Sequence, residues 1–159
     1  MFQRLLLAID DSPATEAGTS FVLALARQRG SAVQVLHVNQ FITGGRGMTV
    51  LSEREAERLV EGAVGELRAA GVSASGIVMR ATCFDVGSRI AEAAARFGAD
   101  AIVVGSRRRR RLSRFLGHGV REAIVASSAL PVLTAPAPLR VQPHVPPAAY
   151  GVPAQPIVR

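Results

Sequence analysis

The chain has 159 residues, 48% of them hydrophobic, which is enough for one domain with a buried core and excludes disorder along the whole length. Its net charge is +7, and its single cysteine, Cys83, excludes an internal disulfide and a zinc site built from cysteine clusters. The apolar run near the N-terminus, LLLAI, is too short for a signal peptide or a membrane span, so we expect a cytoplasmic protein without a transmembrane segment.

Short β-rich runs alternate with longer helical patterns, which predicts a parallel sheet with crossover helices. RLLLAI at residues 4–9 predicts a buried strand, and the next residues predict a helix with Ser12 as N-cap and Pro13 at the first helical position. We expect this helix to end at Gly30. A second strand is predicted over 32–38, then a glycine-rich loop over 39–50, and then a helix from Ser52 to Gly71.

The second half continues in the same order. A strand is predicted over 75–80, a helix over 86–97, a strand over 101–105, a helix over 119–128 and a last strand, PVLTA, over 131–135. The predicted fold is α/β, a single open, doubly wound five-stranded parallel sheet with four helices, formed by residues 1–135. Residues 136–159 hold seven of the nine prolines and no acid, which predicts a tail that is flexible or packed on a partner subunit.

The excess positive charge lies in one segment, residues 107–121, which we call the arginine-rich loop. It holds seven arginines and no acid, whereas the other 12 arginines are equal in number to the 12 acids. Such a patch is typical of surfaces that bind nucleic acid, an acidic protein or an anionic membrane. The alternative is a solvated loop with no partner.

Several segments resemble the universal stress protein family: LLLAIDDS, VQVLHV, GADAIVVGSR and HGVREAIVASSALPVL. The resemblance covers residues 3–135 and implies a Rossmann-like fold of the adenine-nucleotide alpha hydrolase-like superfamily. It also implies a ligand crevice at the carboxyl ends of the strands, where Asp10 and Val38 match residues that contact nucleotide in relatives. For Asp10 the alternative is a cap on the following helix, and for Val38 it is a place in the core.

The phosphate-binding pattern of the family is a glycine, two residues, a glycine, nine residues, and a glycine followed by serine or threonine. Gly105 keeps the first glycine, but Arg108, His118 and Gly119 occupy the other positions. A shift by one residue would place Gly117 and His118 at the last pair. Arginine side chains can replace backbone N–H groups as phosphate ligands because the guanidinium fork binds bidentately. The candidate nucleotide site consists of Asp10, Val38, Gly105, Arg107, Arg108, Gly117, His118, Gly119 and Val120.

The sequence is consistent with two functions. One is a non-enzymatic, regulatory stress-response protein that binds ATP with magnesium. The other is a family member that has lost ATP binding and uses the arginine-rich loop to bind an acidic partner or nucleic acid. No catalytic residue and no metal site are predicted, and any enzymatic activity would be slow ATP hydrolysis organised by Asp10. Cys83 is either an inert loop residue or a reactive thiol.

The predicted last strand, residues 131–135, is short, apolar and placed at a sheet edge. An unpaired edge strand favours association with another chain. The family resemblance implies a homodimer in which this strand pairs with its symmetry mate.

Overall fold

The structure is a computed structural model that describes residues 2–42, 48–106 and 120–136. Strands and helices alternate along these ranges. The strands are β1 (Arg4–Ile9), β2 (Ala32–Ile42), β3 (Met48–Thr49), β4 (Ala74–Ala81), β5 (Ala101–Val104) and β6 (Val132–Thr134). The helices are α1 (Ala14–Arg29), α2 (Glu53–Ala69), α3 (Val86–Phe97) and α4 (Val120–Ser127).

Five of the strands form one parallel sheet in the order β4-β2-β1-β5-β6. Helices α1 and α2 pack on one face of this sheet, and α3 and α4 pack on the other. The predicted doubly wound, five-stranded parallel sheet with four helices is therefore confirmed. Strand β3 adds a short antiparallel pairing with the end of β2.

The central strand β1 fills two cores because successive side chains point to opposite faces. Leu5 and Leu7 pack against α1 and α2, whereas Leu6 packs against α3 and α4, and all three side chains are fully buried. A strand covered on both faces needs apolar residues at every position. This explains why RLLLAI reads as a continuous apolar run and not as an alternating one.

The helix ends follow local sequence signals. Ser52 and Glu55 form a capping box, in which each side chain accepts a hydrogen bond from the backbone N–H of the other residue. Helix α1 begins at Ala14, one residue later than predicted, so the prediction of Ser12 as N-cap is wrong and Pro13 takes that position. The Ser12 hydroxyl accepts a hydrogen bond from the Ala14 N–H at 3.3 Å. Helix α1 ends at Gly30, as predicted, with Gly30 in the left-handed conformation at a φ of 66°.

The predicted end of the second strand at Val38 is wrong, and so is the predicted loop at residues 39–42 and 48–49; residues 43–47 of that loop lie outside the described ranges. Strand β2 continues to Ile42, and its last residues pair with β3. The side chain of Asn39 joins strand β2 to Leu51, which follows β3. Its amide nitrogen donates to the Leu51 carbonyl at 2.8 Å, and its amide oxygen accepts from the Leu51 N–H at 3.2 Å. The Asn39 side chain thus bonds the Leu51 backbone in place of a neighbouring strand. The alternation of apolar and polar residues in the sequence does not reveal such a contact.

Candidate functional site

The strand order creates a topological switch point between β1 and β5, where the connections to the neighbouring strands lie on opposite faces of the sheet. The chain leaves β1 toward β2 over one face, and it returns from β4 to β5 over the other face. In open parallel sheets the ligand crevice lies beyond the carboxyl ends of the two strands where the crossovers diverge. Asp10 follows β1, and Gly105 and Ser106 follow β5, so the structure brings these three residues to the same crevice.

Asp10 is held by the residues that follow it. Its carboxylate accepts a hydrogen bond from the Ser12 hydroxyl, and its carbonyl accepts from the Ser12 N–H at 2.8 Å. The Thr15 hydroxyl donates to the same carbonyl and accepts from the Asp10 N–H. These contacts fix the turn between β1 and α1. The backbone and the carboxylate of Asp10 are therefore fixed in orientation at the edge of the crevice without a ligand.

Sequence reasoning missed the role of Thr15. A hydroxyl in the first turn of a helix that bonds backbone five residues earlier closes a turn by itself. The signal in the sequence is the threonine at the second helical position, directly after a strand, two aspartates, a serine and a proline. Because many helices begin with such polar residues, this signal becomes specific only when the turn is seen in three dimensions.

Gly105 is required by a close contact with the start of α1. A side-chain Cβ built at Gly105 would lie 2.8 Å from the Ala14 Cβ and 2.9 Å from the Ala14 carbonyl oxygen. Its φ is not positive, so packing and not backbone conformation accounts for the glycine. The absence of a side chain brings the end of β5 against the first residue of α1. The end of β5 and the start of α1, which we call the two walls of the crevice, are therefore in direct contact at Gly105 and Ala14.

Ser106 is a further residue that the sequence analysis did not select. Its hydroxyl is enclosed, and within residues 2–42, 48–106 and 120–136 it has no hydrogen-bond partner. Enclosed polar groups without a partner are rare in folded proteins and call for an explanation. A ligand in the crevice is one such explanation, since Ser106 directly follows the end of β5 at the switch point.

Val38 and His37 occupy neighbouring positions in β2 but face opposite sides of the sheet. Val38 pairs with Met79 and packs in the core with Ala81 and Val86, which gives it the core position considered in the sequence analysis. His37 is buried, and its Nδ1 lies 3.1 Å from the Ile9 carbonyl. His37 is therefore a residue of the buried core. Its Nε2 has no partner in the described part of the chain.

Val120 is the first residue of α4 and is 39% exposed. Helix α4 lies close to α3, because a Cβ built at Gly87 would lie 2.6 Å from the Ala123 Cβ. The remaining predicted site residues fall outside the described ranges. They are Arg107, Arg108, Gly117, His118 and Gly119. The arginine-rich loop up to residue 119 and the tail from residue 137 also fall outside them.

Clusters of metal ligands and membrane-spanning helices are both absent from the described ranges. No group of three or more His, Cys, Asp and Glu side chains lies together there to hold a metal ion. Over the same residues, none of the helices combines the length and the apolar character needed to cross a membrane. Cys83 is exposed in the turn between β4 and α3, next to Phe84, which is 86% exposed.

The comparison with protein families assigns the chain to a family. The sequence model of the universal stress protein family matches residues 1–136. The chain belongs to this family. A search of curated proteins found no match. The family assignment agrees with the resemblance found in the sequence, which covers nearly the same residues.

Solved universal stress proteins have the same fold. One from Burkholderia pseudomallei is 22% identical with a TM-score of 0.67, and the match covers 85% of this chain and 96% of that one. One from Archaeoglobus fulgidus, solved with dAMP, is 24% identical with a TM-score of 0.64 and coverages of 84% and 98%. One from Arabidopsis thaliana, solved with AMP bound, is 19% identical with a TM-score of 0.53 and coverages of 83% and 90%.

Proposed function

We propose that this universal stress protein is a regulatory binding protein that takes an adenine nucleotide, ATP with magnesium, in the crevice between β1 and β5. The observation that carries the proposal is the pair of polar side chains, Asp10 and Ser106, at the switch point. The relatives from Archaeoglobus fulgidus and Arabidopsis thaliana, solved with dAMP and AMP, support the ligand class.

The roles of the site residues follow from their chemistry. The Asp10 carboxylate is a hydrogen-bond acceptor that suits the ribose hydroxyls or the exocyclic amine of adenine. The Ser106 hydroxyl suits an oxygen of the ligand. For the phosphates we propose Arg107 and Arg108 as side-chain ligands, together with backbone N–H groups of Gly117, His118 and Gly119 before α4. Regulation, and not catalysis, is proposed because no nucleophile or general base is predicted in this set.

Titration calorimetry of nucleotide-stripped protein tests the proposal. ATP with magnesium, GTP and pyrophosphate are titrated at two salt concentrations. Binding that prefers ATP over GTP and persists at high salt supports a nucleotide pocket. Weak binding that is equal for all three anions and is lost in salt contradicts it, because a contact between a basic surface and phosphate is screened by salt and does not recognise the base.

The proposed contact between the Asp10 carboxylate and the nucleotide is tested by comparing variants of Asp10 and of its neighbour Asp11. Asp10→Asn is expected to weaken ATP binding by about tenfold, since a hydrogen bond to a charged group contributes roughly 1.5 kcal/mol. Asp11→Asn removes the same charge from an exposed neighbour and should leave the affinity unchanged. Equal effects of the two variants would show that only the local charge matters, and the assigned role of Asp10 would then be wrong.

The arginine-rich loop favours a second candidate function, capture of an acidic partner or a nucleic acid. The observation behind it is the concentration of seven arginines without an acid in residues 107–121. A variant with Ser at all five positions from 107 to 111 separates the two functions. Loss of ATP binding in this variant supports the loop as a phosphate ligand. Unchanged ATP binding together with loss of RNA or DNA binding supports the second function.

We also propose a homodimer in which β6 pairs with its symmetry mate. In the described part of the chain, β6 pairs only with β5. The Pro131 carbonyl and the Ala135 N–H bond to β5 at 3.0 Å and 2.8 Å. Because alternate residues of a strand direct their backbone groups to opposite sides, the groups of Val132 and Thr134 point to the open edge.

Thr134→Pro removes one N–H from the open edge and leaves the bonds to β5 intact, so it is expected to weaken the dimer about fivefold or more. Ala135→Pro is the control, because it removes a bond to β5 and should lower the stability of the subunit itself. Sedimentation over a dilution series measures the dimer. A wild-type chain that is monomeric, or a Thr134→Pro variant with unchanged dimerisation, contradicts this pairing.

A further inference from the structure

A groove opens on the α3 face of the sheet, away from the crevice, with a volume of about 400 Å³. It is lined by Arg4, Gln34, Ile77, Met79 and the end of α3. The groove exists because α3 packs mainly over β1 and β2 and leaves this side of the edge strand β4 partly uncovered. The groove is open to solvent on one side and is not an enclosed cavity.

Apart from Gln34, the floor of the groove is apolar. Ile77 and Met79 pair with Leu36 and Val38 of β2, so their side chains lie on the face that carries α3. Both are partly buried and pack against the core, and the ring of Phe97 does the same from the end of α3. These side chains form a surface that suits an aliphatic chain, because burying apolar area against them removes it from water.

Two guanidinium groups lie at one end of this apolar floor. Arg4 donates from Nη1 to the Phe97 carbonyl at 2.9 Å, and its guanidinium lies 5.8 Å from the centre of the Phe97 ring. These contacts hold the Arg4 side chain, whose charge also interacts with the Asp100 carboxylate. A guanidinium has five N–H groups, and among the described residues one hydrogen bond of this side chain is seen. A fixed cationic group binds an anion with little further loss of side-chain entropy.

Arg96 is the second guanidinium of the groove. Its Nη1 lies 3.7 Å from Glu92, whereas the same carboxylate lies 2.8 Å from Arg89. Glu92 is therefore paired more closely with Arg89, and the Arg96 side chain is 75% exposed. The lining residues include no acid. The groove thus combines an apolar floor with an end that attracts a single anionic group.

We propose that this groove binds an amphipathic carboxylate, an aliphatic chain with one terminal carboxylate such as a free fatty acid of medium length. The chain lies along Ile77 and Met79, and the carboxylate lies between Arg4 and Arg96. The planar guanidinium matches a carboxylate bidentately, which favours this head group. The apolar floor disfavours a nucleotide, whose ring and sugar carry many polar groups.

The methionines supply a direct probe of the groove. The chain has three methionines, Met1, Met48 and Met79, and Met79 is the one that lines the groove among the side chains the structure describes. Protein labelled with ¹³C at the methionine methyl groups is titrated with decanoate below its micelle concentration, with decanol and with acetate. A saturable shift of the Met79 signal with decanoate, weaker with decanol and absent with acetate, is the expected result.

Charge-matched variants test the head-group contact. Arg96→Gln is expected to weaken decanoate binding about fivefold, the effect of one lost charge-assisted hydrogen bond of modest strength. Because Arg96 is exposed, this variant should fold normally. Arg58→Gln changes the net charge equally on an exposed position of α2, on the opposite face of the sheet, and should leave the affinity unchanged.

Four outcomes would overturn the proposal. One is a Met79 signal that does not move with decanoate. A second is a shift of all three methionine signals without saturation, which would indicate adsorption to the whole surface. The third is an equal affinity for decanol and decanoate, and the fourth is an equal loss in Arg96→Gln and Arg58→Gln, because in both cases the guanidinium groups would have no part in recognition. None of these outcomes bears on ATP binding at the crevice.

Discussion

The two ends of the parallel sheet differ in the hydrogen bonding of their polar groups. At the amino end, the carboxylate of Asp100 accepts from the N–H groups of Gln3 and Arg4, and the Ser31 hydroxyl donates to the Phe2 carbonyl at 2.7 Å. At the carboxyl end, the enclosed hydroxyl of Ser106 has no partner among the described residues. The polar groups at the amino end contribute hydrogen bonds to stability. At the carboxyl end Asp10 and Asn39 are also hydrogen-bonded, so Ser106 is a group there whose partner is a ligand or lies outside the described residues.

The largest effect is expected at the contact between the crevice walls. Gly105→Ala forces the new methyl group against Ala14 and should lower the free energy of unfolding by about 1–3 kcal/mol. Gly62→Ala, in an exposed and open part of α2, should instead raise it by roughly 0.5–1 kcal/mol. Denaturant unfolding measures both. If Gly105→Ala is as stable as wild type, the close contact of the two walls does not exist in solution.

Two serines give the most direct test of the contrast between the two ends. Ser31→Ala should lower the free energy of unfolding by about 1 kcal/mol, because it leaves the Phe2 carbonyl without its donor. Ser106→Ala should change it by less than about 0.5 kcal/mol, since no hydrogen bond within the described chain is lost. Urea unfolding without nucleotide measures both. A loss in Ser106→Ala equal to that in Ser31→Ala would remove the contrast.

The smallest effect is expected in the pH dependence of stability. The backbone N–H groups of Arg4 and Gln3 hold the pKa of Asp100 below its ordinary value of 3.8. A pKa lowered by folding stabilises the protein above the unfolded pKa, and this contribution is lost as the pH falls through the folded pKa. The stability difference between wild type and Asp100→Asn should therefore be present at neutral pH and shrink in acid.

Urea unfolding at neutral pH and below the ordinary pKa of Asp100 measures this difference. Asp11→Asn is the control for the loss of one negative charge, since Asp11 is exposed at the other end of the sheet. A gap between wild type and Asp100→Asn that stays constant with pH would contradict the assigned hydrogen bonds. The shift has a local cause, so the effect should not depend on nucleotide.

The sequence predicts most of the fold because its signals are local. The apolar run before Asp10 predicts β1, the Ser52–Glu55 pair predicts the start of α2, and Gly30 predicts the end of α1. The extension of β2 is missed because Asn39 bonds a backbone twelve residues away with its side chain. No pattern of neighbouring residues reports such a contact.

The candidate site is only partly predictable for the same reason. Asp10 and Gly105 follow strands, and parallel strands present their carboxyl ends at one edge, so their meeting can be deduced from the sequence. The reason for Gly105 cannot be deduced, because it depends on the approach of Ala14 from another element. The unsatisfied state of Ser106 is likewise a property of its surroundings. For Arg107, Arg108, Gly117, His118 and Gly119 the phosphate role stays a prediction.

The bridge between Asn39 and Leu51 has a practical consequence for protein engineering. It fastens the chain on both sides of residues 43–47, together with the pairing of Phe41 and Thr49. When the ends of a connection are fixed by their own contacts, lengthening it adds little closure entropy, about 0.6 kcal/mol for each doubling. A peptide epitope or a reporter inserted between residues 43 and 47 should therefore leave folding nearly unaffected, because the contacts that fix residues 39–42 and 48–51 stay in place.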